Sequence, residues 1–179
     1  MKIVILGAGR IGSSLARNLS NSNYEVCIVD EDKSKLSELE DKLDIMTVEG
    51  SASHLNTLKK SGLNEDTIVL AVTSNDEVNI VACQIAKKAF DVKKTICRFR
   101  DNSYFGKLEI FGEGVIDIPI SPEDEITTHL KELIDHPGAS QIESFANGKV
   151  KLVSVKAKKK GKLVGRELKG IKEDMPDID

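Results

Sequence analysis

The sequence predicts an α/β fold: a doubly wound parallel sheet of six strands, Rossmann-like, followed by a linking helix and an incomplete small α+β lobe. Three observations carry this prediction. Short apolar runs alternate with amphipathic helical stretches, the pattern of βαβ units on a buried sheet. The first run leads straight into Gly7-Ala8-Gly9-Arg10-Ile11-Gly12, a Gly-x-Gly-x-x-Gly loop in strand-to-helix context. The second run is followed at once by Asp30, 18 residues after Gly12, where such folds place an acid.

The strand-like runs are Lys2–Leu6, Glu25–Val29, Ile45–Val48, Thr67–Val72, Thr95–Arg98 and Val115–Ile118. Each is a short apolar run. Helical stretches are expected at about Ile11–Leu19, Lys33–Lys42, Ser53–Lys60 and Asp76–Phe90. In the last, Val78, Val81, Ala82, Ile85 and Ala89 recur at helical spacing and form the expected inner face. The texture changes near Pro119. Ser121 is the expected N-cap of a helix with Pro122 at its first position, running to about Ile134. Asn147-Gly148 then joins Gln141–Ala146 to Val150–Lys156 as a hairpin, and Lys162–Leu168 is expected to open a further helix. The domain boundaries that follow are 1–120 for the nucleotide-binding lobe, 121–138 for the linking helix and 139–179 for the partial second lobe.

Bulk composition narrows the function. Hydrophobic residues make up 40% of the 179, charged residues 31% and aromatics 4%, with no Trp, the profile of a soluble globular protein. So few aromatics argue against a platform that stacks single-stranded nucleic acid. No apolar run reaches the ~18 residues that would cross a bilayer, and the N-terminus enters a strand pattern without a signal-peptide layout. The expectation is a cytoplasmic protein with no direct membrane insertion. Cys27, Cys83 and Cys97 lie far apart in apolar surroundings, without Cys-x-x-Cys spacing, and are expected to be reduced core residues. Residues 149 to 172 hold ten Lys or Arg against the single acid Glu167; this stretch is either a solvated edge that resists aggregation or a docking surface for an acidic partner or anionic lipid.

The glycine loop carries the chemistry. Gly7 permits the tight turn, Gly9 lets backbone approach a pyrophosphate, and Gly12 lets the helix pack closely on the strand. The amides and dipole at the helix start then face an anion. Asp30 is placed to accept hydrogen bonds from both hydroxyls of an adenosine ribose, and its charge repels the 2′-phosphate of NADP. NAD(H) is therefore the expected ligand, with ATP, ADP or AMP as alternatives. Further contacts are expected at the carboxyl ends of the strands: Ser51 and Ala52 after the third, Thr73 and Ser74 after the fourth, and Arg98 ending the fifth. Arg10 either meets a phosphate or is a plain surface residue.

These segments, together with Val48–Ser53, Ala71–Asn79, Ile118–Glu123, Leu133–Ala139, Phe145–Val150 and Asp174–Asp179, resemble the TrkA family of Trk potassium-uptake regulators. The likeness covers nearly the whole chain in order. It implies a regulator-of-potassium-conductance (RCK) N-lobe followed by the beginning of an RCK C-lobe, so that the chain reads as part of a longer protein. It also implies a homo-oligomer, dimer or ring, beneath a Trk-type membrane potassium transporter subunit, peripheral to the inner face of the membrane. NAD(H), ATP or ADP would change the shape of the ring. The potassium link rests on the resemblance alone. The Ser-Pro-Glu segment of some relatives further implies that Glu123 could share a divalent cation with its symmetry mate; its simpler role is to complement the helix dipole. Two departures stand out. Ser51 replaces an acid frequent after the third strand, and Asp101–Glu113 matches poorly.

The competing class is an NAD-dependent oxidoreductase, since the same loop serves both and fold does not fix function. That chemistry needs an acid or base beside the nicotinamide. His54, His129 and His136 have surface or capping contexts, Tyr24 and Tyr104 are isolated, and only about 60 residues follow the sheet, few for a substrate domain. The expectation is a binding protein and not an enzyme.

Overall fold

A computed structural model describes residues 1–22, 24–146, 148–159 and 164. The chain divides into two units, Met1–Glu123 and Asp124–Asp179.

The first unit is the six-stranded sheet. Its elements run β1 (Lys2–Leu6), α1 (Arg10–Ser20), β2 (Glu25–Asp30), α2 (Lys33–Glu40), β3 (Met46–Glu49), α3 (Leu55–Lys60), β4 (Ile68–Ala71), α4 (Asp76–Phe90), β5 (Lys94–Arg98) and β6 (Ile118–Ile120). The strand order is β3-β2-β1-β4-β5-β6, and every adjacent pair is parallel. Because side chains alternate along a strand, successive residues enter two separate cores. Val4, Leu6, Cys27 and Val29 pack with Leu58 of α3 and with Ile80, Cys83 and Ala86 of α4. Ile3, Ile5, Val26 and Ile28 pack with Ala16 of α1 and with Leu36 and Leu39 of α2. Burial on both faces explains why the central strands read as unbroken apolar runs, each fully buried Val, Leu or Ile contributing roughly 1.5–3 kcal/mol.

Three local expectations are corrected. The sixth strand lies at Ile118–Ile120, not Val115–Ile118. Val115 is buried, at 1% exposure, but within the loop, where its carbonyl accepts the Thr95 hydroxyl at 2.7 Å. Pro119 is accommodated because β6 is an edge strand that pairs only with β5, so its missing N–H interrupts no ladder on the open side. The β5–β6 connection holds two short 3-10 turns, Asn102–Tyr104 and Leu108–Phe111, and in it Tyr104 and Phe111 pack against Phe99. The inner face of α4 is Asp76, Asn79, Ile80, Ala82, Cys83 and Ala86; Val81 is 39% exposed and Ala89 exposed. Two polar residues join that face because backbone groups of the neighbouring strand ends satisfy them. Finally, Ser121 does precede the helix, but its buried hydroxyl has no hydrogen-bond partner, so it does not cap by side chain.

The second unit holds the body of α5 (Pro122–Asp135) and an antiparallel hairpin of β7 (Ala139–Phe145) and β8 (Val150–Val155). Among its described residues Ile142 is buried, at 2% exposure. Glu132 of α5 accepts the Ser144 hydroxyl at 2.7 Å and faces the Lys151 ammonium at 3.5 Å. The helix expected at Lys162–Leu168 lies outside the described residues, apart from Val164.

The three cysteines are buried and free. Burial pushes the Cys27 thiol up to about 11, and the Cys97 thiol beside Cys83, with burial, pushes Cys83 well above its usual value. At the amino end of the sheet, Asp117 Oδ2 accepts the Thr95 amide at 2.7 Å and meets Lys87 Nζ at 2.9 Å. Partial burial alone would raise this carboxyl, but Lys87 and Thr95 outweigh it and hold it low. Its folded value thus lies below the unfolded one. The stability it contributes is complete above the ordinary Asp value near ~4 and is lost as pH falls through the depressed one. An acid titration of melting temperature tests this: Asp117→Asn should show a smaller drop below about pH 4 than the original chain, and a drop of equal size would rule the contribution out.

Candidate functional site

The glycine loop joins β1 to α1 at the point where the strand order reverses, between β1 and β4, where open α/β sheets hold their ligands. Its shape is set by backbone contacts. Gly7 has φ of 105°, and a Cβ there would stand 2.9 Å from Thr73 Cα. The loop is therefore seated directly on the turn after β4. A Cβ on Gly12 would lie 1.8 Å from the Gly7 carbonyl oxygen, so the first turn of α1 closes on the loop only because that side chain is absent. Gly9 differs: a Cβ would meet nothing within 4 Å, and the backbone there faces open space. The first helical hydrogen bond of α1 runs from Ser13 N to Gly9 O at 2.9 Å. The amides of Arg10, Ile11 and Gly12 precede it, as orphan donors of a helix start do. Arg10 is exposed, Ile11 half-buried and Ala8 buried.

Asp30, at the end of β2, is tied to this loop. Its Oδ2 accepts the Ala8 amide at 2.6 Å, its Oδ1 accepts the Asp32 amide at 2.9 Å, and Lys35 Nζ lies 3.7 Å away. Asp30 does not cap the helix that follows it: Asp32 is that cap, accepting from Ser34 N at 3.0 Å.

On the β3 side, Ser51 and Ser53 hydroxyls pair at 3.2 Å and Ala52 is buried. On the β4 side, Thr73 is held by Asn79, a fully buried residue of α4 whose role sequence reasoning missed. Asn79 Oδ1 accepts the Thr73 amide at 3.0 Å and the Thr73 hydroxyl at 2.7 Å. Its Nδ2 donates to the carbonyls of Thr73 at 3.3 Å and Arg98 at 3.0 Å. All its capacity is used, as a buried amide requires. The signal was available: a polar residue at helical spacing from Asp76 and Cys83 on a face that packs against strand ends.

Arg98, only 9% exposed, donates from Nη1 to the Thr73 carbonyl at 3.1 Å and pairs through Nη2 with Glu123. Its Nε is buried and has no partner. Glu123 is held below the usual carboxylate range chiefly by this Arg98 hydrogen bond. The expectation for Glu123 concerned a cation shared with a symmetry mate; within the chain its carboxylate meets a guanidinium. Among the described residues no group of three or more His, Cys, Asp or Glu is arranged to hold a metal. Ser74, exposed, borders an open polar cleft of about 480 Å³ shared with Asp76, Arg100, Tyr104 and Glu123. Asp76 anchors that side by accepting the amides of Arg100 and Asp101 at 2.9 Å.

This strand order, with a glycine loop at the reversal and an acid ending the second strand, defines a Rossmann-type domain. Comparison with known proteins agrees. A family model for the TrkA-N domain matches residues 3–122, and the chain belongs to that family. Over 181 aligned residues it is 43% identical to the Trk system potassium uptake protein TrkA of Halomonas elongata, and over 182 residues 43% identical to that of Vibrio alginolyticus. Each alignment takes in 100% of this chain, which spans 40% of the length of each relative. Among solved structures, the TrkA-N domain of the inner membrane protein ybaL from Escherichia coli superposes with a TM-score of 0.63 at 18% identity, covering 74% of this chain and 96% of that one. The GsuK channel bound to NAD gives 0.58 at 18% identity over 72% of this chain and 22% of that one. The Kef C-terminal domain of Shewanella denitrificans in its AMP-bound form gives 0.59 at 18% identity over 76% and 82%. At these identities the likeness to solved structures establishes the fold.

The contact at Gly12 yields a direct expectation. Gly12→Ala places a methyl group against a backbone carbonyl that cannot move without shifting β1 or α1, so the variant should lose more than about 3 kcal/mol, read as a lowered denaturant midpoint. Gly9→Ala, which meets open space, should unfold within about 1 kcal/mol of the original. Equal stability of the two variants would overturn the close-approach account.

Proposed function

We propose that this chain is the nucleotide-sensing part of a regulatory subunit of a Trk-type potassium uptake system, and that it catalyses no reaction. The observation that carries the reading is the tie between Asp30 and the Ala8 amide. It sets a carboxylate at the rim of the glycine loop, beside the free amides of α1 and the open face of Gly9. That donor set suits an adenosine diphosphate moiety: amides and the helix dipole for phosphate, a carboxylate for ribose hydroxyls. NAD(H) is the proposed ligand, with ATP, ADP or AMP as alternatives. When bound, the nucleotide supplies an anion that draws on these amides. The residues of the site in this proposal are Gly7 to Gly12, Asp30, Ser51, Ala52, Thr73, Ser74 and Arg98.

A regulatory role in place of catalysis is supported by how the acid–base candidates are engaged. His136 Nδ1 lies 3.0 Å from the Glu132 carbonyl at the end of α5, and Tyr104 packs in the Phe99 and Phe111 cluster. No helix among the described residues is long and apolar enough to cross a membrane, so in this proposal the link to the transporter runs through a separate subunit at the inner membrane face. Assembly as a dimer or ring is proposed through α5, where Ile126, Leu130 and Ile134 are 61%, 54% and 75% exposed. Sedimentation at micromolar concentration should show association that Leu130→Glu reduces; a purely monomeric original chain would remove this part.

Calorimetric titration with NADH, AMP and NADPH tests the ligand. Charge-assisted hydrogen bonds contribute roughly 1.5–3 kcal/mol, so Asp30→Ala should weaken NADH and AMP alike by about ten- to a hundredfold. The same change should narrow the preference for NADH over NADPH. A folded Asp30→Ala protein with unchanged NADH affinity would refute the ribose role. Gly9→Asp, which fits the free loop but sets an acid against the phosphates, is the control: NADH oxidation or ATP hydrolysis above its level would restore the enzyme reading.

A further inference from the structure

A continuous set of contacts leads away from the glycine loop. Gly7 is seated on Thr73, Asn79 grips Thr73 on three sides, and the Thr73 carbonyl receives Arg98 Nη1. The same guanidinium reaches Glu123 in the first turn of α5, and its Nε–H stays buried without an acceptor. A guanidinium offers five donors in one plane, and a buried donor left unpaired is costly. Arg98 is therefore held short of its full hydrogen-bonding capacity, next to the turn that borders the proposed ligand site. Glu123 is in the opposite position. Its side chain is 48% exposed, so water can replace Arg98 as its partner.

We propose that Arg98 is a ligand-responsive latch, whose guanidinium is shared between a phosphate-bearing nucleotide at the glycine loop and the Glu123 carboxylate that opens α5. The inference rests on the nucleotide-binding reading and deepens it. An acceptor oxygen from the nucleotide gives the guanidinium the partner it lacks and weakens its hold on Glu123, so that occupancy of the site is felt at the first turn of α5. Because two anionic acceptors draw on the single charge of one guanidinium, the coupling is reciprocal: removing the carboxylate must strengthen nucleotide binding. Asn79 is the positioning residue, fixing Thr73 and the Arg98 backbone in the register that makes the sharing possible.

The full chain is titrated calorimetrically with NADH and AMP as original, Glu123→Gln and Glu77→Gln. Glu77 borders the same cleft and serves as the control for a general loss of negative charge. Amide exchange of residues 121–126 is followed with and without NADH. The latch requires Glu123→Gln to bind about fivefold tighter or more, the lower range of coupling between sites, with Glu77→Gln clearly less affected. It also requires exchange at 121–126 to rise on adding NADH to the original chain, and to be raised already in Glu123→Gln without ligand. If both variants change affinity equally, or neither does while the original binds, the latch is wrong and nucleotide binding stands. If the original binds neither NADH nor AMP, both are wrong.

Discussion

The close approach of backbone to backbone at the glycine loop is the constraint on which the rest of the first unit depends. A Cβ on Gly12 would sit 1.8 Å from the Gly7 carbonyl, and one on Gly7 would sit 2.9 Å from Thr73 Cα. Three elements, β1, α1 and the turn after β4, can converge only where side chains are missing. That convergence aims the orphan amides of α1 at the strand-order reversal, and brings Thr73 within the grip of α4. The buried strands supply rigidity beneath it, since β1 and β2 are covered on both faces and each residue belongs to one core or the other.

Polar groups at the carboxyl end of this sheet form two connected sets. Asp30 joins the end of β2 to the loop by accepting the Ala8 amide. Asn79, Thr73, Arg98 and Glu123 join β4, α4, β5 and the start of α5. The first set is satisfied in its hydrogen bonds, while the second leaves Arg98 Nε without an acceptor. In a buried network full satisfaction rigidifies, whereas a partly satisfied one is sensitive to whatever supplies the missing partner. The same comparison separates a scaffold role for Asn79 from a responsive role for Arg98. Under the proposed regulatory function such a responsive site is intelligible, because a regulator needs a site whose occupancy is felt elsewhere.

Much of this was legible beforehand. Buried parallel strands need apolar residues on both faces, so Lys2–Leu6 and the next four runs stood out, with ends within a residue of those observed. The glycine loop was legible because each glycine answers a distinct steric demand. Misreadings occurred where a residue's burial came from outside its own element. Val115 looked like strand because it is apolar, yet it is buried by the loop. Asn79 was left out of the expected inner face of its helix because what buries it, the carbonyls of Thr73 and Arg98 at the ends of β4 and β5, lies outside that helix. Ser121 preceded Pro122 as a cap would, but its hydroxyl is turned into the interior.

What the sequence by itself determined is the part governed by local period and local sterics: the alternation of strand and helix, the course of the glycine loop, and an acid at the end of the second strand. Only the tertiary structure decided which donors meet which acceptors: Asp30 with Ala8 rather than with the helix that follows, Asn79 with two strand ends, Arg98 with Thr73 and Glu123. The reason is physical. A hydrogen bond requires distance within a few tenths of an ångström and direction within tens of degrees, and residues 22 to 25 positions apart acquire that geometry only when the sheet has brought their strand ends together.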